Sequence, residues 1–419
     1  MNDRFLRIAG AHVANNLVNL PHLIFEVTDL CNLNCKYCGY GDLYEGYDSR
    51  SRGNLSLEKA CNIIDYLAKI WKENIESSLI QPLTISFYGG EPLINIDGIK
   101  KIIRYVESSN ILGKNIRYNM TTNGLLLDRY MDYLVSKEFS LLVSLDGNER
   151  DHSYRVNRVG RNSHKVVVEN LQHLQQKYPD YFVKHVNFNT VLHNMNSVTS
   201  AWYFIKNTFG KETKISPLNN SGIRKEKKRE FINLFQTIES SIERTIKREE
   251  FESELFIEAP ITKRLISFFY RFSGNMFDNY SNLLLDSNEM MLTPTGTCTP
   301  FFKKMFITVN GKVLPCEKVN HKFAFGKATN DNVYLDYEHI AEMYNEYVFK
   351  FIGQCSTCAY SRRCLQCVFQ NDEINSYNPR CNSYTTNIAF RKKIETDLES
   401  LSISPDLYEK IMKNVKIRN

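Results

Sequence analysis

Hydrophobic positions along the chain change period in a regular way. His22 to Asp29, Leu83 to Tyr88, Ile116 to Thr121, Ser140 to Leu145, Val183 to Val191 and Lys214 to Leu218 are short runs of apolar, β-branched and aromatic residues, which predicts strands. Between them apolar residues recur at helical spacing, as in Ile99 to Ser108 and Val166 to Lys177. Ser56 to Trp71 repeats the pattern at Leu57, Ala60, Cys61, Ile64, Leu67, Ala68 and Trp71, with Ser56 suited to cap the helix and Cys61 expected in the core. Strands alternating with helices predict an α/β fold around a parallel sheet. From Asn219 to Leu285 the strand pattern stops, and charge runs such as Arg224 to Glu230 predict a bridge of two or three solvated helices.

At 419 residues the chain exceeds what one compact domain usually holds, so two domains are expected. The formal net charge of +6 is spread without a polybasic tail. It does not argue for nucleic acid, and it is compatible with an acidic peptide partner. No run reaches the roughly eighteen apolar residues of a membrane helix. Asp3, Arg4, Arg7, Asn15 and Asn16 interrupt the stretch where a secretory signal would be continuously apolar. The expectation is a cytoplasmic protein with no membrane partner. Its 11 cysteines are then expected as metal ligands or buried thiols rather than disulfides. Three lie at 31 to 38, seven lie between 298 and 381, and Cys61 stands alone.

The first group is Cys31-Asn32-Leu33-Asn34-Cys35-Lys36-Tyr37-Cys38, on a loop just past the first strand. Three thiolates so close can hold three corners of one metal centre, with the fourth corner supplied from elsewhere; a zinc site is the competing reading. A glycine-rich loop from Gly39 to Gly53 follows, expected to cover the centre or touch substrate. Other strands end in Tyr88-Gly89-Gly90-Glu91-Pro92, Thr121-Thr122-Asn123-Gly124 and Ser144-Leu145-Asp146-Gly147, with His152 and Arg155 next. Two adjacent glycines at a strand end let backbone approach a ligand that a Cβ would exclude. Polar residues gathered at strand C-termini are where barrel enzymes build sites.

The CxxxCxxC loop resembles the signature of the radical S-adenosylmethionine (AdoMet) enzymes. The resemblance implies a partial (β/α)6 TIM-type barrel with an initiating [4Fe–4S] cluster on Cys31, Cys35 and Cys38, AdoMet chelating the fourth iron, and Tyr37 near the adenine. Gly89, Gly90 and Glu91 would bind the AdoMet amino group. Thr122, Asn123 and Ser144 would line its ribose and methionine end, and Arg155 would take its carboxylate.

The second field has Cys298, twelve residues to Gly311, four more to Cys316, and then Cys355, Cys358, Cys364, Cys367 and Cys381. Thr308 to Leu314 predicts a hairpin with an Asn-Gly turn that presents Cys316 at a strand end. Zinc ribbons also use paired cysteines on tight turns. The pattern is similar to the SPASM domain of one group of radical AdoMet enzymes, which carries two auxiliary [4Fe–4S] clusters. That implies an inner set of Cys298, Cys316 and Cys367 and an outer set of Cys355, Cys358, Cys364 and Cys381. No eighth cysteine stands near the first, which leaves the inner cluster an open iron or a non-cysteine ligand. Glu317, next to Cys316, is the candidate for that ligand or for a catalytic group acting on a substrate proton.

The expected division is 1–22 as an N-terminal segment, 23–218 as the barrel, 219–292 as a helical bridge, 293–390 as the SPASM domain and 391–419 as a C-terminal helix. The resemblance implies an oxidoreductase that cleaves AdoMet to a 5′-deoxyadenosyl radical and abstracts hydrogen from a ribosomally made precursor peptide, forming a thioether or other side-chain crosslink. Its electron donor would be a flavodoxin or ferredoxin. A leader peptide would be bound by the catalytic body or by a separate leader-binding protein. Two readings compete: an anaerobic sulfatase maturase that makes formylglycine, and a non-catalytic zinc-binding interaction protein. Sulfatase maturases usually carry Gln before GGEP and Asp after the equivalent of Cys316, where this chain has Tyr88 and Glu317.

Overall fold

Six parallel strands stand side by side in chain order: β1 (His22–Thr28), β2 (Leu83–Gly89), β3 (Ile116–Thr122), β4 (Ser140–Ser144), β5 (Val186–Leu192) and β6 (Thr213–Pro217). The computed structural model describes residues 5–74, 82–108, 115–256, 259–272, 293–361 and 364–415. Sequential order with every strand parallel is the winding of a (β/α)6 barrel in which the first and last strands do not pair. Four short strands, β7 (Met305–Ile307), β8 (Lys312–Leu314), β9 (Gly326–Ala328) and β10 (Val333–Tyr334), extend the sheet beyond β1. β7 runs parallel to β1 with Phe25 opposite Ile307, and β7–β8 is the predicted hairpin. With β2 on one side and β7 on the other, β1 is an inner strand, and Leu23 to Thr28 are all buried. An inner strand of this kind reads as a continuous apolar run rather than an alternation.

Crossover helices bury one stripe each. In the helix over Leu57–Glu73 the stripe is Ala60, Ile63, Ile64, Leu67 and Trp71, and the Ser56 hydroxyl caps the start by accepting from the Lys59 amide. Cys61 lies beside this stripe and is half-buried rather than in the core, one position round the helix from Ala60. Residues 183 to 185 are not strand. They end a helix over Pro179–His185, whose proline at the first position is pre-set for helix and has no N–H to lose.

Contacts divide the chain into two units. Ala9–Ile238 and Cys298–Tyr344 form the sheet unit; Met1–Ile8, Glu239–Thr297 and Asn345–Asn419 form the other. The linear division at 293 therefore does not follow the packing, because the first part of the cysteine-rich segment supplies β7 to β10. In the second unit, a helix over Pro260–Phe272 buries Leu265 and Phe269 with Ile411 and ion-pairs Arg264 to the buried Asp397. The bridge contributes helices over Ile238–Glu243 and Arg248–Leu255 as well; its far end, 273–292, lies outside the described residues. The single C-terminal helix expected over 391–419 is two, Asn387–Ile403 and Pro405–Asn414. Pro405 breaks it because proline excludes the preceding residue from helical geometry. Among the described residues no helix is long and apolar enough to cross a membrane.

Candidate active site

The C-terminal ends of the parallel strands surround a cavity of about 300 Å³ in the sheet unit. Cys31, Tyr37, Cys35 and Cys38 reach it from the loop after β1, Gly89, Gly90 and Glu91 from the end of β2, Thr122 and Asn123 from β3, and Ser144 and Arg155 from the end of β4 and its following turn. Glu317, just past β8, lines it as well. The residues singled out for the first cluster and for AdoMet thus share one space with the candidate catalytic carboxylate.

Burial pushes the Cys35 thiol up to about 12 and also raises Cys31. Thiols in that state ionise only beside a positive centre, which is the condition a thiolate-bound metal group meets. Among the described residues no three His, Cys, Asp or Glu side chains close on a single ion. Three thiols beside open cavity space are a donor set that a thiolate-bound cluster would fit.

Glu91 is buried, and its carboxylate accepts from the Thr122 hydroxyl at 2.8 Å, the Asn123 amide at 2.7 Å and the Leu93 amide at 3.2 Å. Burial still raises it to about 7. The two glycines before it line the cavity and also serve a second purpose. A Cβ on Gly89 (φ +139°) would lie 2.1 Å from the Thr28 carbonyl oxygen, and one on Gly90 would lie 2.1 Å from that of Leu30. What a side chain would strike is the chain entering the cysteine loop, because the Gly90 and Glu91 amides donate to those same two carbonyls. The glycines therefore lock the β2 turn onto the loop, and through it set where the cysteines stand.

Arg155 lines the cavity, but its Nε and one terminal nitrogen donate to Asp146 at 2.9 and 3.1 Å. Asp146 also accepts from the Tyr37 hydroxyl and the Val191 amide. Burial alone would raise Asp146; Arg155, with His193 and His152 beside it, overrides burial and holds it well below the ordinary carboxylate range. Tyr37 stacks on His193 with ring centroids 5.3 Å apart. The sequence places Asp146 at a strand end but gives it no role in this hub. Its only signal was position at the end of β4. The segment after it grips the cysteine loop through the Asn34 and Lys36 amides, which donate to Val156 and Tyr154.

Glu317 is not a solvated surface residue. Its side chain is 17% exposed and both oxygens accept from Lys304 Nζ, at 2.9 and 3.1 Å. Burial would raise it, and Lys304 overrides that and holds it below the ordinary value. The glycine-rich loop lines the cavity with Gly39, Tyr40, Tyr44, Tyr47 and Arg50. It is pinned to the segment after β6 by the Glu45 amide on Gly222 and the Arg224 amide on Leu43. Asn189 and Asn219, past the region that motifs reached, complete the polar lining.

Cys298 and Cys316 belong to the sheet unit; Cys355, Cys358, Cys364, Cys367 and Cys381 belong to the other. Within the latter, burial, with Cys364, Cys381 and Cys358 adding to it, pushes the Cys355 thiol up to about 11; burial also raises Cys381, with Cys364 and Cys358 adding to it. Those four are the residues of the outer set.

A three-thiol loop after the first strand of a sequentially wound parallel sheet faces a glycine-backed carboxylate on the second, the arrangement that the resemblance to radical AdoMet enzymes implies. Residues 25–197 match the model of the Radical SAM superfamily. Along nearly its whole length it is similar to the Cysteine-type anaerobic sulfatase-maturating enzyme of Clostridium novyi, 25% identical over 379 residues, or 86% of this chain and 90% of that one. The Radical SAM cyclopropyl synthase TigE of Paramaledivibacter caminithermalis is 28% identical over 172 residues, 40% of this chain and 34% of that one. The solved structure of native anSMEcpe with bound AdoMet and Cp18Cys peptide superposes with a TM-score of 0.60 at 18% identity, over 94% of this chain and 100% of that one. That likeness establishes a shared fold.

Proposed function

We propose that this enzyme oxidises a side chain of a peptide or protein, with formylglycine formation from Cys or Ser as its first candidate reaction. The observation that carries the reading is Glu317, kept ionised by Lys304 and facing the cavity that the three cysteines line. When bound there, the cluster and AdoMet supply the electron and the radical that remove a hydrogen atom. The chain's own residues do the rest. Glu91, Thr122, Asn123 and Ser144 offer the polar groups that hold an amino-acid moiety, and Tyr37, Tyr40, Tyr44, Tyr47 and Tyr88 wall the space against water. Glu317 accepts the proton that a two-electron oxidation must release, and an auxiliary cluster, when bound, would take the second electron.

The near full-length likeness to a sulfatase-maturating enzyme supports formylglycine formation. Crosslinking is the second reading, supported by Tyr88 and Glu317, the two positions that depart from the usual Gln and Asp: both line the cavity, and burial raises the Tyr88 hydroxyl with Glu317 adding to it. Under either reading we assign Cys355, Cys358, Cys364 and Cys381 to one auxiliary cluster, with a flavodoxin or ferredoxin as electron donor in the cytoplasm. A peptide with Cys or Ser in a sulfatase-type context, incubated anaerobically with enzyme, AdoMet and reductant, tests the proposal. An aldehyde captured by a hydrazine probe supports formylglycine, whereas loss of a hydrogen pair without aldehyde supports a crosslink. Formation of 5′-deoxyadenosine that no peptide of either kind stimulates would reject both.

A further inference from the structure

Arg50 has no part in the scheme so far, yet it reaches the cysteine loop. One terminal nitrogen lies 3.6 Å from Cys38 Sγ, in position to donate. Its guanidinium carbon stands 4.6 Å from the centroid of the Tyr40 ring. The Tyr40 hydroxyl bonds the carboxylate of Glu26, a residue 3% exposed on β1 that also accepts from the Val309 amide at 3.0 Å. The backbone beside Arg50 is held as well: Asp29 accepts from the Ser51 amide at 2.7 Å, and the Asp29 amide and Thr28 hydroxyl both donate to the Gly53 carbonyl. Arg50 is therefore fixed at both ends, its backbone by the end of β1 and its head by a ring that a buried carboxylate orients.

The charge of this arginine is handled differently from that of Arg155. Arg155 is matched by Asp146 in a closed pair. Among the described residues Arg50 has no ion-pair partner, and its Nε is buried without a hydrogen bond. A full positive charge and an N–H donor are thus directed at one ligand sulfur. Both stabilise the more negative, reduced form of a thiolate-bound cluster, and both are levers that set cluster potentials.

We propose that Arg50 raises the reduction potential of a cluster held at Cys38, from a position that Tyr40 and Glu26 fix. The proposal rests on the assignment of Cys31, Cys35 and Cys38 as cluster ligands. It makes Arg50 a positioning and tuning residue rather than a ligand for AdoMet or substrate.

The test is a redox titration followed by electron paramagnetic resonance on the reconstituted full-length protein, with iron and sulfide counted in every variant. The initiating cluster is identified as the signal that changes when AdoMet is added. In Arg50→Met the expected result is full iron content and a reduced-to-oxidised ratio at least about tenfold smaller at any fixed potential, which is about 59 mV for a one-electron couple. Arg50→Lys, with charge but no stacked planar fork, is expected between Arg50→Met and wild type. An unchanged midpoint in Arg50→Met overturns the proposal, and weakened AdoMet binding at an unchanged midpoint does so by making Arg50 a ligand contact. Should Arg50→Met lose iron, Arg50→Gln takes its place; iron loss in both variants also overturns it, since an arginine that merely supports the loop would give that result. Wild-type protein that takes up no iron is a separate outcome, which removes the assignment beneath the proposal.

Discussion

Asp146 and His152 show how much a single side chain can owe to burial. Asp146 neutralises Arg155 where both are buried, so Asp146→Asn leaves a buried guanidinium without its charge partner. The expected cost is about 3–5 kcal/mol, read as a shift of the urea midpoint at unchanged slope. His152 accepts from the Asp146 amide at Nδ1, and its Nε2 lies 3.0 Å from Ser163 Oγ, which itself donates to the Arg155 carbonyl. That pattern needs a neutral ring, and burial lowers the imidazole from 6.5 to about 3, with Arg155, His164 and His193 adding to the effect and Asp146 opposing it. Because the unfolded chain binds this proton first, the stabilisation is complete above about pH 6.5 and is lost as pH falls toward 3. Thermal unfolding followed across that window should show a shallower slope for His152→Gln than for wild type. Sequence alone displayed the cysteines and Glu91, because spacing fixes their neighbourhood. It did not display that Arg155 would turn to Asp146, since a side chain's choice of partner depends on residues that only folding brings near.

Among the elements, those specified by local pattern were legible and those specified from a distance were not. β1 to β6 and the Ser56-capped helix follow from period and cap, and the β7–β8 hairpin follows from Asn310-Gly311. That β7 would lie against β1 could not be read, because nothing within a three-residue strand encodes a partner so far back in the chain. The break at Pro405 and the helix begun at Pro179 were written in the sequence, but an apolar periodicity running through them concealed both. The lock between the β2 turn and the cysteine loop gives an element-level prediction. Gly90→Ala must displace the Leu30 carbonyl, at an expected cost above about 2 kcal/mol and with loss of bound iron from the first site. Gly160→Ala (φ +79°) meets nothing within 4 Å and should cost only about 1 kcal/mol of backbone strain. Differential scanning fluorimetry with an iron assay separates the two.

For the whole molecule, the three clusters of four irons that the resemblance implies would give about twelve irons per chain after anaerobic reconstitution. Replacing Cys355 and Cys358 with Ala should remove about four of them and impair product formation more than AdoMet cleavage. Replacing Cys31, Cys35 and Cys38 with Ala should abolish cleavage, with 5′-deoxyadenosine quantified by chromatography as the measure. A chain cut before Met305 would leave the β1 edge uncovered, with its apolar strand open on the side that β7 occupies. Such a fragment is expected to aggregate rather than persist as a smaller sheet, which light scattering would show. The place of β7 also orders events at the ribosome. The β1 edge next to the cysteine loop stays unpaired until residue 307 has left the exit tunnel, so during translation the loop is within reach of an iron–sulfur carrier or a chaperone for the time needed to make most of the chain.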